Sequence, residues 1–220
     1  MTNGFLLIDK DPGMTSSRVV QVVKKKFQFK KVGHLGTLDP MATGLLILAI
    51  NRGTKFSSLL LESPKSYAAE VTLGIQTDTD DAEGEKILSR PVTCNNEETK
   101  QMLLSFLGSG KQKPPIYSAL KFNGKPMYKY AREGVKVEKA SRNIEIQTIE
   151  NISINLPRIS FEVSCSKGTY IRSIARDLGE LLGCGGHLSA LKRLTQQDFL
   201  LKDAKKIDEI NELDLSLIHI

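Results

Sequence analysis

The part of this sequence best suited to chemistry is an aspartate set before a proline, between glycines, and just ahead of an apolar run. The stretch reads Gly33-His34-Leu35-Gly36-Thr37-Leu38-Asp39-Pro40-Met41-Ala42-Thr43-Gly44. Pro40 biases Asp39 away from helical backbone toward an extended conformation. Gly33, Gly36 and Gly44 allow backbone angles and close approaches that other residues resist. The run Gly44 to Ile50 has the length of a buried strand. The pattern therefore presents one carboxylate on a shaped loop at the edge of a rigid element, where an ionised acid can act as nucleophile or base. Taken alone, Asp-Pro fits a turn residue or a helix cap equally well.

The rest of the composition narrows what that carboxylate could act on. The chain has 220 residues, with 31 Lys+Arg against 25 Asp+Glu and a pI near 9.1, a balance that favours a polyanionic partner. Its hydrophobic share of 40% is enough for a buried core and argues against global disorder. The three cysteines, Cys94, Cys165 and Cys184, show no zinc-ligand spacing and read as reduced thiols in a cytoplasmic protein. The acidic run Asp78, Asp80, Asp81 and Glu83 lacks the spacing of a calcium loop and reads as a structural turn near the site. No P-loop is present, and no metal or other cofactor is expected. Met1 to Lys10 has the wrong length and charge order for a signal peptide, and no apolar run approaches the length of a membrane helix.

The elements that must position Asp39 follow from periodicity. Gly4 to Asp9 reads as a strand and Pro12-Gly13 as a turn. Thr15 caps a helix running to about Phe27, with Val19, Val20, Val23 and Phe27 on one face. Val32 to Thr43 reads as a loop, Gly44 to Ile50 as a buried strand, Thr54 to Glu62 as a helix and Ser66 to Leu73 as a strand. Glu97 to Leu107 reads as a helix, and Lys111 to Tyr128 as an irregular basic segment. Val135 to Ile154 and Ile159 to Cys165 are strand-like. Tyr170 to Leu182 is an amphipathic helix stopped by Gly183, Gly185 and Gly186. Leu188 to Leu194 continues as a short structured segment, and Ile207 to Leu213 reads as a last helix. The sum is α+β: a mainly antiparallel mixed sheet with helices packed on it.

The loop resembles the catalytic motif of the TruB family of tRNA pseudouridine synthases, G-H-x-G-[TA]-L-D-P-x-A-[TS]-G. Further matches follow in the family's order. Asp9-Lys10-Asp11-Pro12-Gly13-Met14-Thr15-Ser16 looks like its N-terminal motif, with the proline one place later than usual. Lys65-Ser66-Tyr67-Ala68-Ala69 looks like its K-x-Y-x-A strand, and Thr77 to Gly84 its T-D-T-x-D-x-x-G loop. Pro114 to Lys121 with Gly124-Lys125-Pro126 resembles its P-P-x-Y-S-A-x-K…G-x-P block. Gly168-Thr169-Tyr170-Ile171-Arg172-Ser173, then Asp177-Leu178-Gly179 and Gly183-Cys184-Gly185-Gly186-His187, resemble its G-T-Y-I-R motif and the helix after it. The resemblance spans roughly residues 4 to 200, and such motifs in order are far more specific than any one of them.

The resemblance implies a pseudouridine synthase fold with an RNA-binding cleft. It implies isomerisation of a T-loop uridine of tRNA (conventional position 55) without a cofactor. Asp39 takes the place of the catalytic carboxylate; attack at C1′, addition to the ring and removal of the 2′ proton all remain open as its step. Arg172 matches the arginine that faces the aspartate and keeps it ionised. Tyr67 matches the active-site tyrosine, able to stack on uracil. Tyr170 and Leu191 match residues lining the uridine pocket, and His34 matches the histidine that supports flipped-out nucleotides. From the residues alone, Arg172 reads as well as a helix-surface cation, Tyr67 as a strand aromatic, Leu191 as core and His34 as a structural loop residue.

The RNA footprint should come from basic side chains: Lys10, Arg52, Lys55, Lys111, Lys113, Lys121, Lys125 and Lys129, with Tyr117, Phe122, Tyr128 and Tyr130 interleaved. Residues 1–200 are expected to form the catalytic domain and 201–220 a short tail. Bacterial members usually carry a C-terminal RNA-binding extension. Only about twenty residues follow Phe199 here, so a shortened member or a truncation, with weaker RNA affinity, is expected. The partner that the resemblance implies is the tRNA T stem-loop, with no membrane, no obligatory protein partner and a monomeric state expected. Two alternatives remain open: a tRNA-binding folding chaperone without catalysis, or the same reaction on another RNA.

Overall fold

The computed structural model describes residues 3–118, 120–122, 124–127, 130, 133–135 and 140–210. In chain order its strands are β1 (Gly4–Lys10), β2 (Val32–His34), β3 (Thr43–Ile50), β4 (Lys65–Leu73), β5 (Ile75–Thr77), β6 (Lys86–Ser89), β7 (Gly108–Gln112), β8 (Lys121–Phe122), β9 (Lys125–Pro126), β10 (Arg142–Asn155), β11 (Arg158–Cys165), β12 (Gly186–Gln196) and β13 (Phe199–Leu200). The α-helices are α1 (Ser16–Lys26), α2 (Ser57–Leu61), α3 (Asn96–Leu104) and α4 (Ile171–Leu181). The chain divides into two compact units, Met1–Ala68 with Leu191–Ile220, and Ala69–Ala190. Strands β4 and β12 pass from one unit into the other.

In the first unit, β3 carries the sequence GLLILAI and is buried from Gly44 to Ile50 on both faces, which explains its unbroken apolar run. It pairs antiparallel with β1 along its whole length, from Gly4↔Ile50 to Lys10↔Gly44. Its other edge is shared. β2 pairs with Leu48 to Ile50, and β12 runs parallel at Thr43 and Gly44. Between them, Leu35 N–H donates to the Ile47 carbonyl (2.8 Å) and the Arg193 side chain donates to the Leu45 carbonyl (2.6 Å). The loop after β2 thus occupies a stretch of strand edge, and its polar groups complete the ladder there. Leu35 joins Phe5, Leu45, Ile47, Ala49 and Leu60 in one core cluster.

Helix α1 begins where the sequence reading puts it. The Thr15 hydroxyl accepts from Arg18 N–H (3.1 Å), and Val19 and Val23 are fully buried. Lys24, Lys25 and Lys26 occupy the last turn, where cations suit the helix dipole. Residues 201–206 also belong to this unit: Ile8 bridges Lys205, and the Lys206 ammonium pairs with Asp9 (2.9 Å) and Asp11 (2.6 Å).

In the second unit the sheet order is β12-β4-β11-β10-β7, with β10 antiparallel to both β11 and β7. β5 and β6 form one small hairpin, β8 and β9 another. α3 starts with a reciprocal capping box between Asn95 and Glu98 and packs by β10.

The mixed, mainly antiparallel sheet with packed helices agrees with the α+β expectation, with local differences. Val32 to His34 forms a strand rather than loop, because β3 offers it a free edge. Thr54 to Glu62 splits into a 3-10 turn (Asn51–Phe56) and α2. The Leu188 to Leu194 segment is the middle of an eleven-residue strand, β12. Residues 207–210 are not helical, and 211–213 lie outside the described residues, as do Tyr128 and Lys129.

One contact fixes the β3–β12 crossing. Gly44 has φ +90°, and a Cβ there would lie 2.4 Å from the Arg193 carbonyl oxygen. Gly44→Ala should therefore cost about 2–4 kcal/mol in urea unfolding. Gly110→Ala, with nothing within 4 Å of the added carbon, should shift stability by less than about 1 kcal/mol.

Candidate active site

The loop bearing Asp39 is fastened on both sides of the aspartate. Leu38 N–H donates to the Ser16 hydroxyl (2.9 Å), and that hydroxyl reaches the Leu38 carbonyl (3.1 Å). The Pro40 carbonyl accepts from Gly13 N–H (2.9 Å) and from the Lys10 ammonium (3.1 Å). Ala42 N–H closes a turn on the Asp39 carbonyl (3.1 Å). Leu38 and Ala42 are buried while Asp39 is half-buried. Backbone freedom at Asp39 is thus removed by neighbours on β1 and α1, and the carboxylate stands on a loop with little room to move.

Below the loop lies a residue the sequence reading did not single out. Arg193 on β12 is 1% exposed. It donates from Nε to the Leu45 carbonyl (2.6 Å) and from a terminal nitrogen to the Gly36 carbonyl (3.2 Å). Burial lowers its pKa, and the adjacent Tyr67 phenol pulls it back up. Gln196, three residues further on, donates to the carbonyls of Leu35 (2.7 Å) and Leu60 (2.8 Å). Gly36, at φ +116°, lies over the Arg193 guanidinium, with a built Cβ 3.3 Å from it. The Arg193 guanidinium is the fixed donor under the loop. The one sequence signal for Arg193 was its place two residues after Leu191, on the same face of β12.

Four of the expected site residues lie in this first unit. Asp39 and His34 are on the loop and its entry strand, Tyr67 is buried on β4, and Leu191 is buried on β12 with its carbonyl accepting from the Thr43 hydroxyl (3.4 Å). Burial, with the Arg193 charge second, lowers the His34 pKa and favours its neutral imidazole. Lys10 differs from the exposed RNA footprint expected of it. It is fully buried, and its ammonium donates to the carbonyls of Pro40 and Asp11 (2.9 Å). Its place on β1, paired with Gly44, turns the long side chain under the loop.

Arg172 and Tyr170 belong to the second unit, at the start of α4. Arg172 is 5% exposed, so it is not a helix-surface cation. It donates to the carbonyls of Thr79 (3.0 Å) and Tyr117 (2.9 Å) and pairs with Asp81 (3.3 Å). One turn later Arg176 pairs with Asp80 (2.9 Å) and Asp177 (2.7 Å) and donates to the Lys113 carbonyl (3.0 Å). Burial pushes the Asp80 carboxyl up to about 6, against the pull of Arg176 and Arg172. Burial also opposes the Arg176 charge, but Asp80, Asp177 and Glu180 outweigh it and raise its pKa. The acidic run is a turn, as expected, and its carboxylates clamp the arginines of α4.

Of the expected RNA contacts, Arg52, Lys55, Lys111 and Lys113 are exposed. Lys121 and Lys125 lie on β8 and β9. Phe122 and Tyr130 meet edge to face at 6.0 Å, and the Tyr117 hydroxyl reaches Asp78 (3.4 Å).

Comparison with known proteins matches the model of the TruB family pseudouridylate synthase N-terminal domain over residues 24–171, and that of the tRNA pseudouridylate synthase B C-terminal domain over residues 172–216. The chain belongs to the TruB family of pseudouridylate synthases. It is 50% identical to the tRNA pseudouridine synthase B of Alkaliphilus oremlandii over 96% of its own length and 71% of that protein's. With the tRNA pseudouridine synthase B of Aromatoleum aromaticum the identity is 46%, over 97% and 69%. Among solved structures, an H/ACA ribonucleoprotein bound to a substrate RNA containing 2′-deoxyuridine superposes with a TM-score of 0.71 at 25% identity. That match covers 96% of this chain and 57% of the other. In this TruB-family chain no helix among the described residues is long and apolar enough to cross a membrane.

Two outcomes follow. Asp81→Asn removes a carboxylate that pairs with the buried Arg172 charge and should lower unfolding stability by about 2–4 kcal/mol at neutral pH. The Asp80 carboxyl titrates higher in the folded chain than its ordinary 3.8, so folding favours its protonated form. Its stabilising share is complete below about 3.8 and is lost as the pH rises through about 6. Thermal melts of wild type against Asp80→Asn should therefore diverge across that window, wild type losing ground as pH rises. Parallel curves would refute this.

Proposed function

We propose that this chain isomerises the T-loop uridine of tRNA at conventional position 55 to pseudouridine, with Asp39 as the nucleophile. Membership of a pseudouridylate synthase family supports the reaction, and the names of its relatives support tRNA as substrate. The observation that carries the residue assignment is the fastening of Leu38 and Pro40, which leaves Asp39 as the one acidic side chain on a rigid loop.

The reaction needs no redox change and no group donor. The N1–C1′ bond breaks, the uracil turns, a C5–C1′ bond forms, C5 gives up its proton and N1 gains one. Attack by the Asp39 carboxylate at C1′ would hold the sugar as a glycosyl ester while the base turns. Arg172 would supply the positive charge that keeps the carboxylate ionised away from bulk water. Tyr67 would stack on the uracil, with Arg193 fixing its phenol, and would assist proton loss at C5. Tyr170 and Leu191 would line the uridine pocket, and a neutral His34 would support the flipped-out nucleotides. Arg52, Lys111, Lys113, Lys121 and Lys125 would meet phosphates, whereas Lys10 would hold the loop. Residues 1–200 would act as the catalytic domain with 201–220 as a tail, in a monomeric cytoplasmic enzyme that needs no protein partner and no cofactor.

Tritium release from tRNA transcripts labelled at uracil C5 tests this. Wild type should release label from the T-loop uridine, and Asp39→Asn should release none while still binding tRNA. Binding without release by wild type would leave a tRNA-folding chaperone, and release from another position would reassign the substrate. Lys111→Ala and Lys113→Ala should each weaken binding uniformly across tRNAs and flatten the salt dependence of log K by about one ion.

A further inference from the structure

α4 begins without a side-chain cap of its own, although its first turn carries Arg172. The orphan groups of a helix start must be met by something. Here the anchor comes from 58 residues away in sequence. Gln112, the last residue of β7 and 4% exposed, bonds twice to one residue. Its amide nitrogen donates to the Tyr170 carbonyl (3.0 Å), and its amide oxygen accepts from Tyr170 N–H (2.8 Å). The same Tyr170 carbonyl accepts from Ser173 N–H (3.1 Å) and Ile174 N–H (3.3 Å), the bonds that open the helix. Gln112 therefore fixes the origin from which α4 is built.

Neighbouring contacts act in the same direction. The Ser173 hydroxyl (2.9 Å) and Arg176 (3.0 Å) both donate to the Lys113 carbonyl, and Arg172 donates to the Tyr117 carbonyl. Segment 112–117 and the first turns of α4 are thus one hydrogen-bonded piece, and Gln112 is its only member that binds both groups of a single peptide residue among the described contacts. A side-chain amide suits that task because it offers a donor and an acceptor in the same plane.

We propose that Gln112 is a positioning residue for the reaction, holding Arg172 in its working orientation through the backbone of Tyr170. The proposal rests on the reading that Arg172 serves the Asp39 carboxylate. It differs from RNA binding by Lys111 and Lys113, which flank Gln112 in the chain but are exposed.

The experiment compares single-turnover tritium release at saturating enzyme for wild type, Asp39→Asn, Gln112→Met and Gln112→Glu. Release by wild type and none by Asp39→Asn leaves the functional reading intact, so that the Gln112 variants test this inference alone. Gln112→Met keeps the length and loses both bonds. Its rate per folded molecule should fall roughly tenfold, with the dissociation constant for tRNA changed less than about twofold. An unchanged rate, or a loss accounted for entirely by weaker binding, overturns the proposal.

Gln112→Glu gives a readout that a merely structural role would not move. When protonated, the introduced carboxyl offers both a donor and an acceptor, as the amide does. When ionised it only accepts and repels the Tyr170 carbonyl. Burial at this position raises the pKa of the introduced carboxyl, whereas Arg142 opposite in register, Lys111 and Lys113 in the chain, and Arg176 over the Lys113 carbonyl pull it down. The rate of this variant relative to wild type should climb as pH falls from about 8 to about 4, wherever in that span the carboxyl takes up its proton. A ratio flat in pH overturns the proposal, and this arm decides it even if Gln112→Met fails to fold.

Discussion

The buried guanidinium of Arg193 is the constraint on which the first unit depends. It completes the edge of β3 at Leu45, holds the loop at Gly36 and stands against Tyr67. A neutral donor could make the same bonds with less desolvation. An arginine, however, presents several donors in a rigid plane and stays charged when buried. One side chain can therefore fix a strand, a loop and a phenol relative to one another. Losing it would leave carbonyls unmet in a dry interior, and each such group costs about 1–3 kcal/mol.

The second unit solves the same problem with carboxylates added. Arg172 and Arg176, one helical turn apart, share the donors of α4 between backbone carbonyls and the pair Asp80 and Asp81. Carbonyls hold the guanidiniums in orientation, and carboxylates offset the cost of burying charge. Asp80 sits at φ +62°, a conformation aspartate tolerates better than most residues. That turn aims adjacent carboxylates at adjacent arginines. Position, rather than ion-pair strength, is what such a network supplies.

Much of this was legible in the sequence where the signal was local. Thr15 before an amphipathic run gave α1, and the unbroken GLLILAI run gave β3. The Asp39 loop stood out because proline restricts the backbone and glycine frees it in ways readable residue by residue. What stayed hidden was long-range. β12 mixes Gly, Ser, Lys and Arg without clean alternation, because its neighbours change along its length, so only its middle was read as structured. Val32 to His34 becomes a strand only because β3 leaves an edge for it. Arg193, Gln196 and Gln112 look like ordinary polar residues until carbonyls from distant segments surround them. Lys10 carries a charge that composition assigns to the surface, and only the pairing of β1 with Gly44 shows why it turns inward.

The inward turn of Lys10 also bears on how an interface on this protein could be mapped. Amine-reactive labels modify the lysines that solvent reaches, and protection by a bound polyanion is scored against that starting reactivity. A fully buried ammonium hydrogen-bonded to the Pro40 carbonyl begins unreactive. It would give the same silence with or without RNA, although it holds the Asp39 loop itself. Chemical footprints would therefore report the exposed lysines and pass over the one that holds the Asp39 loop.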